Sequence, residues 1–150
     1  MGRIVVGIDG SKSSDEALRF ALEEARLRGA TLRIVTVWST PSAAYAGMAY
    51  VPTFDLREVE EQAANERLEA ARAFVGDTSG VAVETVAVEG QAAGILVKEA
   101  EGADLLVVGS RGHGGFTSLL LGSVSQQVAH HAQVPLAIVR APREEPGKSS

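Results

Sequence analysis

Leu105 to Val108, the run L-L-V-V, is apolar at every position and half β-branched, so as a strand it offers no face to water. A strand of that kind belongs inside a parallel sheet, because crossover helices bury both of its faces at once. Its continuation narrows the choice. Gly109, Gly112, Gly114 and Gly115 place four residues without a Cβ in seven positions, which lets the backbone turn through positive φ and come close to a ligand. Ser123 and Gln126 then have the spacing of a capping box and predict the start of a helix at Gly122-Ser123. A helix start presents unpaired N–H groups and the positive end of a dipole, which suits phosphate. Strand, glycine loop and helix start converge on a space the size of an anion.

Other segments fit the same layer. Arg3 to Asp9 is a buried strand that leaves through the turn Asp9-Gly10-Ser11, and Thr31 to Trp38, rich in β-branched residues, is a second. Val81 to Val88 alternates apolar positions with Ala82, Glu84 and Ala87 as a third, Leu105 to Val108 is the fourth, and Val134 to Val139 is the fifth. Pro135 has no N–H to donate, which places the fifth strand near a sheet edge. Between the strands lie helical stripes. Ser13 and Glu16 have capping-box spacing ahead of Leu18, Ala21, Leu22 and Ala25, and Gly29 stops that helix. Asp55 and Glu58 cap a longer helix predicted to turn Val59, Ala63, Leu68, Ala71 and Phe74 inward. Gly90 leads into a helix with Ile95, Leu96 and Ala100, closed by Gly102.

Five strands alternating with four helices predict a single-domain α/β fold, an open five-stranded parallel sheet with right-handed crossovers and helices on both faces. The glycine signals sit at the ends of the first and fourth strands. In such sheets ligands bind beyond the carboxyl ends of the strands where the winding reverses, so the order 3-2-1-4-5 brings Asp9-Gly10-Ser11 opposite Gly109 to Gly112. Ser39 to Phe54, with Pro41, Gly47 and Pro52 among small residues and Tyr45, Met48 and Tyr50, is long for a connection and is either a flap or partner contact, or a mobile insertion. The domain is taken as 1–141. The tail 142–150, P-R-E-E-P-G-K-S-S, has no apolar residue and is expected to be disordered.

At 150 residues, 45% of them hydrophobic, the chain buries a substantial core. Nineteen acidic against 14 basic residues give a net charge of -5 without long blocks of either sign, which argues against a nucleic-acid surface. The absence of cysteine fits a reducing cytoplasm. Gly7 and Asp9 interrupt the N-terminal apolar run, which is far too short for a signal peptide or a membrane span. The expectation is a soluble cytoplasmic protein.

The spacing Gly109, two residues, Gly112, nine residues, Gly122-Ser123 resembles the nucleotide-binding signature of universal stress proteins. The opening I-V-V-G-I-D-G-S, the A-D-L-L-V-V-G-S-R-G before the loop and the closing V-P-L-A-I-V-R extend that resemblance over nearly the whole chain. It implies the same strand order, an ATP-binding regulatory module and a homodimer through Val134 to Val139. It carries nucleotide contacts onto Asp9, Gly10, Ser11, Val37, Gly109, Ser110, Arg111, Gly112, Gly122, Ser123, Val124 and Ser125, with Val37 touching adenine through its backbone.

Blander roles stand beside these. Asp9 either meets a ribose hydroxyl or a Mg²⁺ shared with the phosphates, or caps its own turn. Ser123 and Ser125 offer hydroxyls to phosphates, and Arg111 is either a phosphate partner or a solvated loop residue. His113 is an exposed loop residue, and His130 and His131 sit at a helix C-terminus, so the three histidines do not make a metal site. A dinucleotide site would put its glycines after the first strand, whereas the third glycine position after Gly112 and Gly114 is Thr117; no lysine follows Gly122 as a P-loop requires; and Asp9 alone lacks the acidic pair of a receiver domain. No residue stands out to orient a nucleophile, which favours binding over a slow ATPase or self-phosphorylation on Ser123. Cyclic AMP would need the same loop.

Overall fold

A computed structural model describes residues 2–40, 56–76, 80–111 and 121–142. Along the chain run β1 Arg3–Ile8, α1 Lys12–Arg28, β2 Thr31–Trp38, α2 Leu56–Val75, β3 Val83–Glu89, α3 Ala92–Glu99, β4 Leu105–Gly109, α4 Ser123–His131 and β5 Leu136–Val139. The strands form one parallel sheet in the order β3-β2-β1-β4-β5, as the strand pattern predicts.

Strand side chains alternate between two apolar layers. Ile4, Val6, Ile8, Leu32, Ile34, Leu105 and Val107 pack with Leu18, Ala21, Leu22 and Ala25 of α1 and Leu68 and Ala71 of α2. On the opposite face Val5, Val35, Leu106 and Val108 meet Ala93, Leu96 and Ala100 of the α3 region and Val128 of α4. Each large aliphatic side chain buried this way contributes about 1.5–3 kcal/mol. With β1 and β4 adjacent, α1 leaves β1 towards one face while α3 and α4 cover the other. The winding reverses between β1 and β4.

The pairing there is short. Ile4, Val5 and Val6 oppose Leu105, Leu106 and Val107, and the ladder stops before Gly7 and Val108. Beyond that point the two strands end in a crevice.

Several local expectations change. The N-cap of α1 is Ser11, whose hydroxyl accepts from Ser14 N at 3.2 Å, so Ser13 is inside the helix and the Ser13–Glu16 box is not the cap. The N-cap of α4 is Gly122, without a side-chain cap, which puts Ser123 in the first helical position. Gln126 Nε2 donates to Leu121 O at 2.9 Å, turned away from the expected box partner. In α2 the inward stripe is Ala64, Leu68 and Ala71, whereas Val59 and Phe74 are exposed. Arg19 lies over the Phe74 ring at 5.0 Å, which gives that aromatic a cationic cover at the surface. Asp55, Pro41 to Phe54 of the long segment, Gly112 to Leu120 and the tail from Arg143 lie outside the described residues.

Candidate functional site

The crevice opens into a cavity of about 490 Å³. Part of its wall is apolar, made by Gly7, Val35, Val37 and Val108 from the sheet and Ala92 and Leu96 from α3. Gly7 shapes this floor, because a Cβ there would stand 2.7 Å from Leu96 Cδ1. The rest of the wall is polar through Asp9, Ser14, Arg111, Ser123 and the start of α4. Asp9 is the only carboxylate and Arg111 the only cation among the described lining residues.

The turn after β1 is held by its own side chains. Asp9 Oδ1 accepts from Ser11 N at 2.9 Å, and Asp9 N donates to Ser14 Oγ at 3.2 Å. Gly10, at φ 85, supplies the left-handed conformation that a side chain rarely adopts. Asp9 therefore ties the turn and also borders the cavity.

The stem of the glycine loop is clasped at both ends. On the β4 side Ser110 is buried, its N–H donating to Val139 O at 2.8 Å, while its carbonyl accepts from Gly122 N at 2.7 Å and Ser125 Oγ at 3.0 Å. Arg111 follows, and both of its backbone groups engage Ser13 Oγ: its carbonyl accepts from that hydroxyl at 2.5 Å and its N–H donates to it at 3.2 Å. Ser11 Oγ donates to the same carbonyl at 3.2 Å. The Arg111 guanidinium has no hydrogen-bond partner among the described residues.

On the α4 side the first backbone N–H with a helical partner belongs to Gln126, which donates to Gly122 O at 3.0 Å. The N–H groups of Ser123, Val124 and Ser125 precede it at the cavity wall, where a helix start lacks intrahelical partners. Such groups, with the helix dipole, favour an anion.

Of the residues singled out from the sequence, Asp9, Val37, Gly109, Arg111, Gly122, Ser123, Val124 and Ser125 line this cavity. Gly10, Ser11 and Ser110 do not, and Gly112 falls outside the described residues. The hydroxyl of Ser125 is buried and directed to Ser110 O and Gly122 O, so the expected gift of that hydroxyl to a phosphate is corrected: it closes the stem instead. Ser123 remains exposed. Gly7, Ile8, Ser14, Val35, Ala92, Leu96, Val108 and Leu121 were not anticipated. A glycine inside the otherwise β-branched β1 was the available signal for Gly7, since a strand glycine marks a close approach.

Asp15, in the first turn of α1, feels the same neighbourhood. Burial, then the nearby Asp9 and Glu16, push its carboxyl above the ordinary value despite the opposing Arg19. A carboxyl whose folded pKa is raised binds its proton more tightly when folded, so its charged form costs stability at neutral pH. Asp15→Asn is expected to raise Tm at pH 7 slightly, because the amide removes the charge that burial and Asp9 disfavour. The gain should fade as pH drops through the carboxylate range; melting curves from pH 3 to 8 check this, and a loss of Tm at pH 7 would contradict it.

Among the described residues no helix is long and apolar enough to cross a membrane. Residues 1–140 match the model of the family described as the universal stress protein family. A curated universal stress protein of Mycobacterium tuberculosis is 37% identical over 137 residues, which are 91% of this chain and 45% of that protein. The chain thus spans about half the length of the curated relatives it matches. A solved universal stress protein in complex with cAMP is 29% identical with a TM-score of 0.71, over 94% of this chain and 98% of that one. Another, from Archaeoglobus fulgidus in complex with dAMP, is 25% identical with a TM-score of 0.67, over 93% and 98%.

Proposed function

The chain belongs to the universal stress protein family, and from that premise we propose that it binds ATP with Mg²⁺ in this cavity and acts as a nucleotide-dependent regulatory module of the stress response in the cytoplasm. The observation that carries the reading is the start of α4, which has no side-chain cap and whose first N–H groups have no partner among the described residues, on the wall of a cavity with an apolar side. A base suits that apolar side, and phosphates suit the helix start. The relatives solved with cAMP and dAMP support an adenine ligand.

In this reading Val37 meets the adenine through its backbone, and Asp9 faces the ribose or the metal. Gly10 and Ser11 shape the turn bordering the nucleotide. Gly109, Ser110, Arg111 and Gly112 carry the loop to the phosphates, which the Ser123, Val124 and Ser125 amides receive at Gly122. A helix start is worth only about 0.3–1 kcal/mol per charge, up to about 2 when partly buried, so a triphosphate needs further neutralisation. Mg²⁺ is commonly held by one or two carboxylates plus substrate phosphates, a donor set that Asp9 fits. Arg111, the only cation among the described lining residues, favours cyclic AMP, with its single phosphate charge, as the second reading. We also propose a homodimer through the Val134–Val139 segment, where β5 pairs with β4 and forms the sheet edge.

The test is a set of melting curves with ATP-Mg, ADP, cyclic AMP and no ligand, for the native chain and Gly122→Asp. Ligand at about 100 times its Kd stabilises by about 2.7 kcal/mol. That is roughly 5–10 °C for a domain of this size. Gly122 has φ -67 and ψ 164, an extended conformation open to any residue, and aspartate is itself a good N-cap. The variant should therefore melt no lower than the native chain without ligand, yet lose the ligand shift to charge repulsion. No shift with any nucleotide would sink the reading.

A further inference from the structure

We infer that Ser13 is a positioning residue for phosphate recognition, acting through Arg111; this rests on the nucleotide reading of the cavity. Ser13 is 4% exposed, lies in the first turn of α1 and does not line the cavity. Its hydroxyl is satisfied in both directions by one residue 98 positions away, donating to the Arg111 carbonyl and accepting from the Arg111 N–H. Such a pair fixes the peptide planes on both sides of the Arg111 Cα, and with them the direction in which its side chain leaves the backbone. Ser11 Oγ, donating to the same carbonyl, closes the clasp from the N-cap. Gly109 lets it close: the site of its missing Cβ is 2.6 Å from Ser13 Oγ. Arg111 is the cation among the described lining residues, and its guanidinium has no protein partner among the described residues.

A charged donor held in a fixed direction discriminates by phosphate, not by base. Ser13 should then matter for ATP and hardly at all for adenosine. Calorimetric titrations of Mg-ATP and adenosine are run on the native chain, Ser13→Ala, Ser13→Cys, Arg111→Ala and the Ser13→Ala/Arg111→Ala double variant. Cysteine stays close to serine in volume while donating only weakly, so it reports on the clasp even where alanine unfolds the chain. The expected result is a roughly tenfold weaker Mg-ATP affinity from the Ser13 variants, adenosine within about twofold, and no further loss when Ser13→Ala is added to Arg111→Ala. Equal losses for both ligands would make Ser13 merely structural and overturn the inference, as would losses that add across the double variant. A native chain that binds neither ligand overturns the nucleotide reading and this inference with it; native binding with an unselective Ser13 loss overturns the inference alone.

Discussion

Gly109→Ala is expected to lower Tm by about 2–12 °C and, on the proposed nucleotide reading, to abolish the nucleotide shift. A Cβ at this position would stand 2.6 Å from Ser13 Oγ, 2.7 Å from Ser13 C and 2.8 Å from Ser14 N. Two of those atoms are backbone in the first turn of α1, so the helix itself must move away from β4. Overpacking of this kind costs about 1–3 kcal/mol, occasionally more, and each kcal/mol is worth about 2–4 °C here. Gly7→Ala is the control. Its Cβ would come equally close, 2.7 Å, but to the tip of the Leu96 side chain, which can turn aside. Thermal melts of the two variants side by side should rank Gly109→Ala clearly below Gly7→Ala; equal losses would mean that α1 and β4 are not rigidly docked.

Thr36→Val is expected to cost about 2–4 kcal/mol although it preserves shape. Thr36 is wholly buried, and its hydroxyl donates to Ile8 O at 3.0 Å while accepting from Arg67 Nε of α2, also at 3.0 Å. Valine fills the same volume and leaves both groups without this partner. Each buried polar group deprived of its bond costs about 1–3 kcal/mol, more when it is charged. Urea titration measures the loss, and Arg67→Met in the Thr36→Val background should recover part of it by removing the stranded cation. A Thr36→Val variant as stable as the native chain would show that the hydroxyl bridge between α2 and the end of β1 contributes nothing.

The layers of the fold were legible because they rest on local pattern. The apolar run at Leu105 to Val108 and the β-branched run at Thr31 to Trp38 carry their burial in their composition, and the two glycine-marked strand ends were enough to set β1 beside β4. Hydroxyl assignments were not legible in the same way. Ser11 and Ser13 both donate to the Arg111 carbonyl about 100 residues away, and what separates them is that Ser11 also accepts from Ser14 N as the cap while Ser13 accepts from Arg111 N. Ser125 is drawn inward by Ser110 for the same reason. In α2, Phe74 fits an inward helical stripe by spacing, yet it lies outside, under Arg19. The apolar side of the cavity follows from strand periodicity, since Val35 and Val37 share a face, but only the neighbouring α3 turns that face into a wall.

The short ladder between β1 and β4 also bears on how the chain is made. Arg3 N bonds Asp104 across 101 residues of sequence, and the pairing of Ile4 with Leu105 sits at the centre of the sheet. During synthesis β1 finds β2 early, but its other edge must wait until β4 has left the ribosome. Contacts of such separation make folding slow, and an unpaired apolar strand edge is a template for association with other chains. The chain is therefore most vulnerable to aggregation during synthesis, after β1 and β2 have emerged and before β4 has.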